Sequence, residues 1–397
     1  MISLPSWLLI VPVLGALIFV HELGHFVAAK RFGIKVLEFG FGFPPRLFGI
    51  RYGETLYSIN LVPLGGFVRM VGEEDPEDPR SFARKSVLQR IIVLSAGSFM
   101  NLLTPIVIFT VLFAIPRDTA IGSVIISGVA PGSPAAEAGL RPGDIVLAYD
   151  GDRVNNHLDL IAQVMATLGS ETEITVRRGA IVSGLGGSPE LAAVETLTVV
   201  PRLNPPQPQV VDNVAEPETQ VSLGDAQLYN RELEVGDIMT QGSIGVMIGT
   251  SNVRIVKQRE SIWNAVPMAV ERIWDVVTIT KNGFARWIAG GPDPGLAGPI
   301  GIARVTGEVA KAGISPIFEL TALLSISLGI VNILPIPALD GGRLMFVVIE
   351  WVRRGKRISP KREGLVHLVG FALLLGFIVV VSYFDVVRML SGDSLIR

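Results

Sequence analysis

Four long apolar segments constrain the fold of this chain more than any other feature. They run from Leu4 to Ala29, Ile91 to Ile115, Ile317 to Leu334 and Leu365 to Phe384. Each is close to the ~20 residues that a helix needs to cross roughly 30 Å of hydrocarbon. Only 18% of the 397 residues are charged, against about 25% in an ordinary soluble chain. We therefore expect an α-helical polytopic membrane protein with about four transmembrane helices.

The first apolar segment has an alternative interpretation as a secretory signal. It has no positively charged residues before its apolar stretch, and it continues into His21-Glu22-Leu23-Gly24-His25 where a small-residue cleavage site would stand. We therefore expect a helix that is retained in the protein.

Lysine and arginine are concentrated in two connections, 30–90 and 343–362, and the long region between the second and third segments is mainly acidic. Basic loops stay on the cytoplasmic side of a membrane. This predicts a multi-pass protein with its basic connections in the cytoplasm and with both termini and the acidic insert outside. With 34 basic and 36 acidic residues, net charge −2, no nucleic-acid partner is expected.

The acidic insert has the pattern of a small α+β domain. The β-branched runs Ser123–Ser127, Ile145–Tyr149 and Glu173–Arg177 predict strands, and 158–168 has helical spacing. The string Gly139-Leu-Arg-Pro-Gly-Asp144 resembles the Gly-Leu-x-x-Gly-Asp signature of PDZ domains in bacterial proteases. The resemblance implies an extracytoplasmic PDZ domain, which would bind peptide at a sheet edge. A β-rich domain without a ligand is the alternative.

The remaining segments complete the predicted domain organisation. Alternating aromatics and glycines predict a hairpin or small sheet at the cytoplasmic membrane face over about 36–70, and three tryptophans mark 261–290 as an amphipathic interfacial helix. Packing of that helix against the spans is an equal alternative. The predicted divisions are an N-terminal membrane core (1–119), the PDZ domain (120–203), a proline-rich linker with an additional strand (204–260), the interfacial helix (261–290) and a C-terminal membrane core (291–397).

His21-Glu22-Leu23-Gly24-His25 is an H-E-x-x-H string, and it is the strongest chemical motif in the chain. On a helix, residues i and i+4 share a face, so both imidazoles can bind one cation. Glu22 stands beside them and can accept a proton from water. Zn2+ suits such a site because it favours imidazole and carboxylate ligands. A histidine-lined proton or ion path is the alternative for polar groups on a membrane helix.

A zinc site of this kind needs a third protein ligand, and the chain has no cysteine to supply one. Asp340 follows Asn332-Ile-Leu-Pro-Ile-Pro-Ala-Leu at the end of the third apolar segment. His21 lies ~14 residues, or about 21 Å of helix, beyond Trp7. The prolines shorten the path to Asp340 because they break the helix. Both sites are therefore expected near the cytoplasmic side of the bilayer, where Asp340 can complete the ligand set.

H-E-x-G-H in the first span together with N-x-x-P-x-P-x-L-D-G in a late one resembles the site-2 protease family of intramembrane zinc metalloproteases. The PDZ-like insert, Pro63-Leu-Gly-Gly-Phe67 and Gly298-Pro-Ile-Gly301 are similar to the bacterial regulator-of-sigma-E protease branch, here with one PDZ domain. The resemblance implies that His21, His25 and Asp340 bind zinc and that Glu22 is the general base. It also implies that Asn332 holds the substrate or the oxyanion.

The resemblance implies hydrolysis of peptide bonds in transmembrane segments, after a prior cleavage by another protease. Expected partners are the lipid bilayer and a transmembrane substrate such as an anti-sigma factor or a signal-peptide remnant. Whether the PDZ domain binds peptide or only filters substrates by size is left open. A metal or proton transporter and a catalytically silent PDZ scaffold are the competing functions; the first predicts ion flux, and the second predicts that Glu22→Gln is harmless.

Overall fold

The computed structural model describes residues 5–72, 78–178, 193–217, 219–291 and 296–391. The chain divides into two compact units. The first, called the helical unit, contains residues 1–114, 261–273 and 295–397; the second, called the sheet unit, contains 115–260 and 274–294. The helical unit is thus assembled from distant parts of the sequence.

Within the described residues, four helical stretches are long and apolar enough to cross a membrane. They are Ser6–Arg31, Val87–Ala114, Ile314–Ile333 and Lys361–Ser391. The predicted set of four apolar helices is confirmed, and it is consistent with a polytopic membrane protein. The elements in chain order up to the sheet unit are α1 (Ile10–Arg31), β1 (Val36–Tyr52), β2 (Thr55–Met70) and α2 (Val87–Ala114).

The strands β1 and β2 form an antiparallel sheet in the region where a hairpin was expected. Residues 38–41 of β1 pair on one side with residues 56–59 and on the other with residues 66–69, because β2 bends back across its partner. The ring of Phe39 stacks on Phe26 of α1, with centroids 4.8 Å apart. Phe48, Ile50 and Tyr52 alternate along β1 and are more than half exposed, so one face of the sheet is apolar and uncovered.

The sheet unit begins with a series of strands and short helices. They are β3 (Arg117–Val129), α3 (Pro134–Glu137), β4 (Ile145–Tyr149), β5 (Asp152–Arg153), α4 (His157–Ala166), β6 (Thr172–Arg177), β7 (Val194–Val199), β8 (Gln209–Val211), β9 (Gln220–Ser222) and α5 (Leu223–Tyr229). They are followed by β10 (Val246–Gln258) and by α6 (Ile262–Ile288), which contains the boundary between the units. The main sheet has the strand order β10-β3-β4-β6-β7, with β5 paired to β4.

Helix starts in the sheet unit follow local capping chemistry. The Ser133 hydroxyl accepts the N–H of Ala136 at the start of α3, and the Asn156 side chain accepts the N–H of Asp159 at the start of α4. Tyr149 is fully buried in the core, where its hydroxyl bonds to Thr167 at 2.9 Å. Region 204–260, interpreted from sequence as a linker with one strand, holds β8, β9, α5 and a 13-residue β10.

The C-terminal part of the helical unit contains four helices. They are α7 (Pro299–Lys311), α8 (Ile314–Ile333), α9 (Asp340–Val352) and α10 (Pro360–Ser391). Small residues allow close packing: Gly329 of α8 lies against Leu102 of α2, and the Ser325 hydroxyl donates to the Asn101 carbonyl at 2.7 Å. Asp385 of α10 is buried and accepts the Gly301 N–H of α7 at 2.8 Å. These contacts join spans that are remote in sequence.

A buried ion pair joins α2 to α9. Arg90 donates two hydrogen bonds to the carboxylate of Glu350, at 2.9 and 2.6 Å, and Arg357 donates a third at 3.2 Å. Such a forked contact fixes orientation as well as distance. Because α9 begins at Asp340, this pair also helps to fix the helix that carries the predicted third metal ligand.

Candidate metal centre

The two histidines of the H-E-x-x-H string lie on the buried face of α1. His21 and His25 are each 6% exposed, and their Nε2 atoms are 3.1 Å apart. The Asp340 carboxylate oxygen Oδ2 lies 2.8 Å from Nε2 of His21 and 3.0 Å from Nε2 of His25. The structure therefore brings Asp340 to two histidines that lie more than 300 positions before it in the sequence.

Hydrogen bonds behind the rings orient both imidazoles. Nδ1 of His25 donates to the carbonyl oxygen of Val93 at 2.7 Å, which leaves the lone pair of Nε2, the atom 3.0 Å from Asp340, available to a metal ion. Nδ1 of His21 lies 3.3 Å from the side-chain amide nitrogen of Asn101, and among the residues that the structure describes Oδ1 of the same amide has no hydrogen-bond partner. Because the amide oxygen and nitrogen exchange places by a half-turn, Oδ1 can accept the Nδ1–H of His21. Partners of this kind orient metal-binding histidines.

A sharp connection brings Asp340 to the histidines. After α8 ends at Ile333, Pro335 and Pro337 prevent the helix from continuing, and Ala338 takes the left-handed conformation with φ 80°. Asp340 is then the first residue of α9. A carboxylate is favoured at this end of a helix because the first N–H groups carry partial positive charge. The connection thus turns the chain back so that the carboxylate faces α1.

Gly97 of α2 has no side chain to fill the space between the three clustered side chains. A Cβ atom built at Gly97 would lie 2.6 Å from Nε2 of His21 and still closer to Nε2 of His25. Real side chains do not approach so closely. Any larger residue here would occupy the volume beside the histidine nitrogens.

The spacing and chemistry of this cluster fit a zinc ion. Zinc–ligand bonds of about 2.0–2.1 Å in tetrahedral geometry separate neighbouring ligand atoms by about 3.3 Å, and the three observed separations lie within about 0.5 Å of that value. Two imidazoles and one carboxylate are also the ligand types that zinc binds in catalytic sites, with a fourth position left open. His21, His25 and Asp340 could therefore hold the metal.

Glu22 follows His21 and lies on the side of α1 that faces β2. Its side chain lies near Gly66 and contacts the backbone of Val68, and its carboxylate is within electrostatic range of the three clustered residues.

Asn332 lies on the last turn of α8 and is half-buried. In the described part of the chain no hydrogen bond joins Asn332 to the cluster, so the structure leaves its predicted role without a contact.

Three groups at this site were given no role in the sequence analysis. They are the Val93 carbonyl, Gly97 and Asn101. Asn101 carried a usable signal, since a polar residue inside an apolar span is expensive unless it has a partner. A backbone carbonyl has no such signal, because every residue supplies one.

Comparison with known proteins relates nearly the whole chain to zinc metalloproteases. Residues 9–377 match Peptidase family M50. A protein of Clostridium perfringens is 33% identical over 94% of this chain and 96% of its own length. The protein named zinc metalloprotease RasP of Geobacillus kaustophilus is 29% identical over 97% of this chain and 98% of its own length, and that of Oceanobacillus iheyensis is 28% identical over 94% and 97%. The chain belongs to Peptidase family M50, which confirms the predicted resemblance to the site-2 proteases and the prediction of a metalloprotease.

Proposed function

We propose that this protein is an intramembrane zinc metalloprotease that hydrolyses peptide bonds in transmembrane segments of other membrane proteins. One observation carries the proposal: two histidines of a membrane-spanning helix and a distant aspartate converge with their ligand atoms about 3 Å apart. Burying polar side chains on an apolar helix costs free energy, and such clusters therefore mark functional sites.

The metal is zinc, held by His21, His25 and Asp340. The RasP relatives carry zinc in their names, and the donor set fits that ion. When bound, zinc supplies a Lewis acid that polarises the scissile carbonyl and makes water more acidic. Val93 and Asn101 hold the two imidazole rings from behind, so that little reorientation is needed on binding.

Glu22 is the general base. It accepts a proton from the attacking water and returns it to the leaving amine nitrogen, which is the proton transfer that peptide hydrolysis requires. Its place beside His21 and against residues 66–68 supports this role, because it lies between the metal ligands and a sheet strand. Asn332 contributes to holding the substrate or the oxyanion.

The substrate is presented as an extended segment along residues 66–69. A helical substrate hides its carbonyl groups in i→i−4 hydrogen bonds and must unwind before attack. Residues 66–69 of β2 form the outer strand of the small sheet, beside Glu22, and an extended peptide binds by pairing with such an edge. Proline at Val68 should slow cleavage while zinc stays bound. Unchanged turnover of a membrane substrate by Val68→Pro would contradict this arrangement.

Residues 120–203 of the sheet unit form an extracytoplasmic PDZ domain that restricts access to substrates already cut by another protease. The basic connections lie in the cytoplasm, and both termini, like the domain, lie outside the bacterial cytoplasmic membrane. Strands β3, β4 and β6 with the capped helices α3 and α4 support the domain assignment. Anti-sigma factors and signal-peptide remnants are the expected clients. Titrating the full chain in lipid discs with C-terminal peptides separates peptide binding from filtering by size.

Reconstitution with a single-span substrate tests the proposal as a whole. The wild-type protein should cleave it, treatment with a chelator should stop cleavage until zinc is returned, and Glu22→Gln should abolish cleavage while keeping the metal. Glu319→Gln on α8 is the matched control, since it makes the same chemical change elsewhere in a span. Cleavage by Glu22→Gln would refute the assignment, and ion flux in vesicles without cleavage would favour a transporter.

A further inference from the structure

The loop that presents Asp340 contains a backbone conformation that needs outside support. Ala338, two residues before Asp340, has φ 80°, and a side chain with a Cβ atom is disfavoured there by roughly 1–2 kcal/mol. Such conformations persist where surrounding groups hold them, and they cluster at functional sites. The conformation of Ala338 is supported from α10.

His367 of α10 makes the hydrogen bond that holds it. Its Nδ1 accepts the backbone N–H of Ala338 at 2.9 Å, so that nitrogen carries no proton in this contact. The imidazole ring also lies against Phe346, with ring centroids 5.6 Å apart. Since Phe346 belongs to α9, His367 touches both the loop before Asp340 and the helix that Asp340 begins.

Gly370 makes a second contact one helical turn further along α10. A Cβ atom built at Gly370 would collide with the Pro337 ring and would lie 3.0 Å from the Pro337 carbonyl oxygen. Positions i and i+3 share a face of a helix. Two successive turns of α10 therefore lie directly against the loop. His367 is hydrogen-bonded to Ala338, and Gly370 lets Pro337 approach the helix because it has no side chain.

We propose that His367 and Gly370 form a seat on α10 for the loop 335–339, and that His367 is a positioning residue for the metal ligand Asp340. The inference rests on the proposed function, since it assigns the seat to the zinc site. His367 acts through the Ala338 backbone and touches neither metal nor substrate. If the seat is lost, the loop relaxes from its left-handed conformation and the carboxylate moves away from the two Nε2 atoms. A metal site tolerates displacements of only about 0.2 Å.

Four variants of the full-length protein test the seat. His367→Leu removes the acceptor, and His367→Asn restores it, because Oδ1 of asparagine is attached to Cγ as Nδ1 of histidine is. Gly370→Ala adds the colliding Cβ atom, and Gly376→Ala is its matched control on the same helix, where a Cβ atom would meet nothing within 4 Å. The measurements are zinc content after equilibration with graded chelator and cleavage of a single-span substrate.

We expect His367→Leu and Gly370→Ala to lower zinc affinity about tenfold or more, the usual effect of losing a supporting contact. His367→Asn and Gly376→Ala should stay within about twofold of the wild type. If His367→Leu fails to fold, His367→Gln takes its place, since it moves the acceptor by one methylene and should bind zinc more weakly than His367→Asn.

Two results would overturn the seat. The first is wild-type zinc affinity in His367→Leu. The second is an equal loss of zinc affinity in His367→Leu and His367→Asn, which would mean that the ring contributes packing and not a hydrogen bond. A wild-type protein that neither binds zinc nor cleaves the substrate would instead refute the proposed function. The two failures are therefore distinguishable in one set of measurements.

Discussion

Gly97→Ala gives the sharpest test of the metal centre because its two effects have opposite signs. In the middle of α2, alanine is a better helix former than glycine by about 1 kcal/mol. The added Cβ atom, however, would lie 2.6 Å from Nε2 of His21. Ordinary contact begins near 3.4 Å, so the ring or the helix must shift by about 0.8 Å. The helix should therefore remain stable while the ligand set is displaced.

A shift of that size is about four times the tolerance of a metal site. The rings cannot yield freely, because Val93 holds His25 and Asn101 holds His21. We expect zinc affinity to fall at least 100-fold, which corresponds to about 2.7 kcal/mol. The assay is competition between the purified protein and a chelator, with zinc measured by mass spectrometry. Gly364→Ala on α10 is the control, since a Cβ atom there meets nothing within 4 Å. Zinc binding by Gly97→Ala at the wild-type level would refute the reasoning.

Three further predictions address the surroundings of the site. Asn101→Ala removes the partner of His21 Nδ1, so zinc should dissociate about tenfold faster in chelator chase experiments, with folding unchanged by circular dichroism. Glu350→Gln leaves Arg90 buried without its counter-charge and should cost about 3 kcal/mol in denaturant unfolding. Burial opposes ionisation of Glu350, but hydrogen bonds from Arg90 and Arg357 outweigh burial and hold its pKa below the ordinary value. The stabilisation by the ion pair is therefore complete above about pH 4.3 and is lost as the pH falls below it. The stability of Glu350→Gln should lack this pH dependence. With the five native tryptophans replaced by phenylalanine, Phe48→Trp should show fluorescence quenching by brominated lipid because the apolar face of β1 is exposed, whereas Arg254→Trp, at an exposed position of the sheet unit, should not.

The sequence predicts the first half of the site because helical periodicity is local. His21 and His25 must share a face of any helix, whatever else the chain does. Asp340 followed from membrane depth and from the prolines before it, which is a weaker argument. That its carboxylate lies 2.8 Å from His21 depends on the packing of α1, α2 and α9, and no local pattern contains this information.

Other elements were hard to predict because their partners lie far away in sequence. The end of β10, up to Gln258, pairs with Arg117 at the start of β3. Its β-branched residues Val253, Ile255 and Val256 are typical of a strand, but the local sequence does not indicate which strand it pairs with. Strands β8 and β9 have three residues each, too few to show a period. The double pairing of residues 38–41 in β1 was equally hidden, since alternation predicts strands without giving their register.

Contacts within the helical unit explain how His21 and His25 stay close to Asp340 although the sheet unit separates them in sequence. The residues that hold the histidines, Val93 and Asn101, belong to α2, and α2 is in turn bound to the later helices. Ser325 of α8 donates to the Asn101 carbonyl, and Glu350 of α9 binds Arg90. Because these contacts are formed within the helical unit, the position of Asp340 relative to the histidines does not depend on the length of chain between α2 and α8. The same reasoning makes α2 the support of the candidate zinc site. A substitution on its packed face should displace His21, His25 and Asp340, although α2 contributes none of these three side chains.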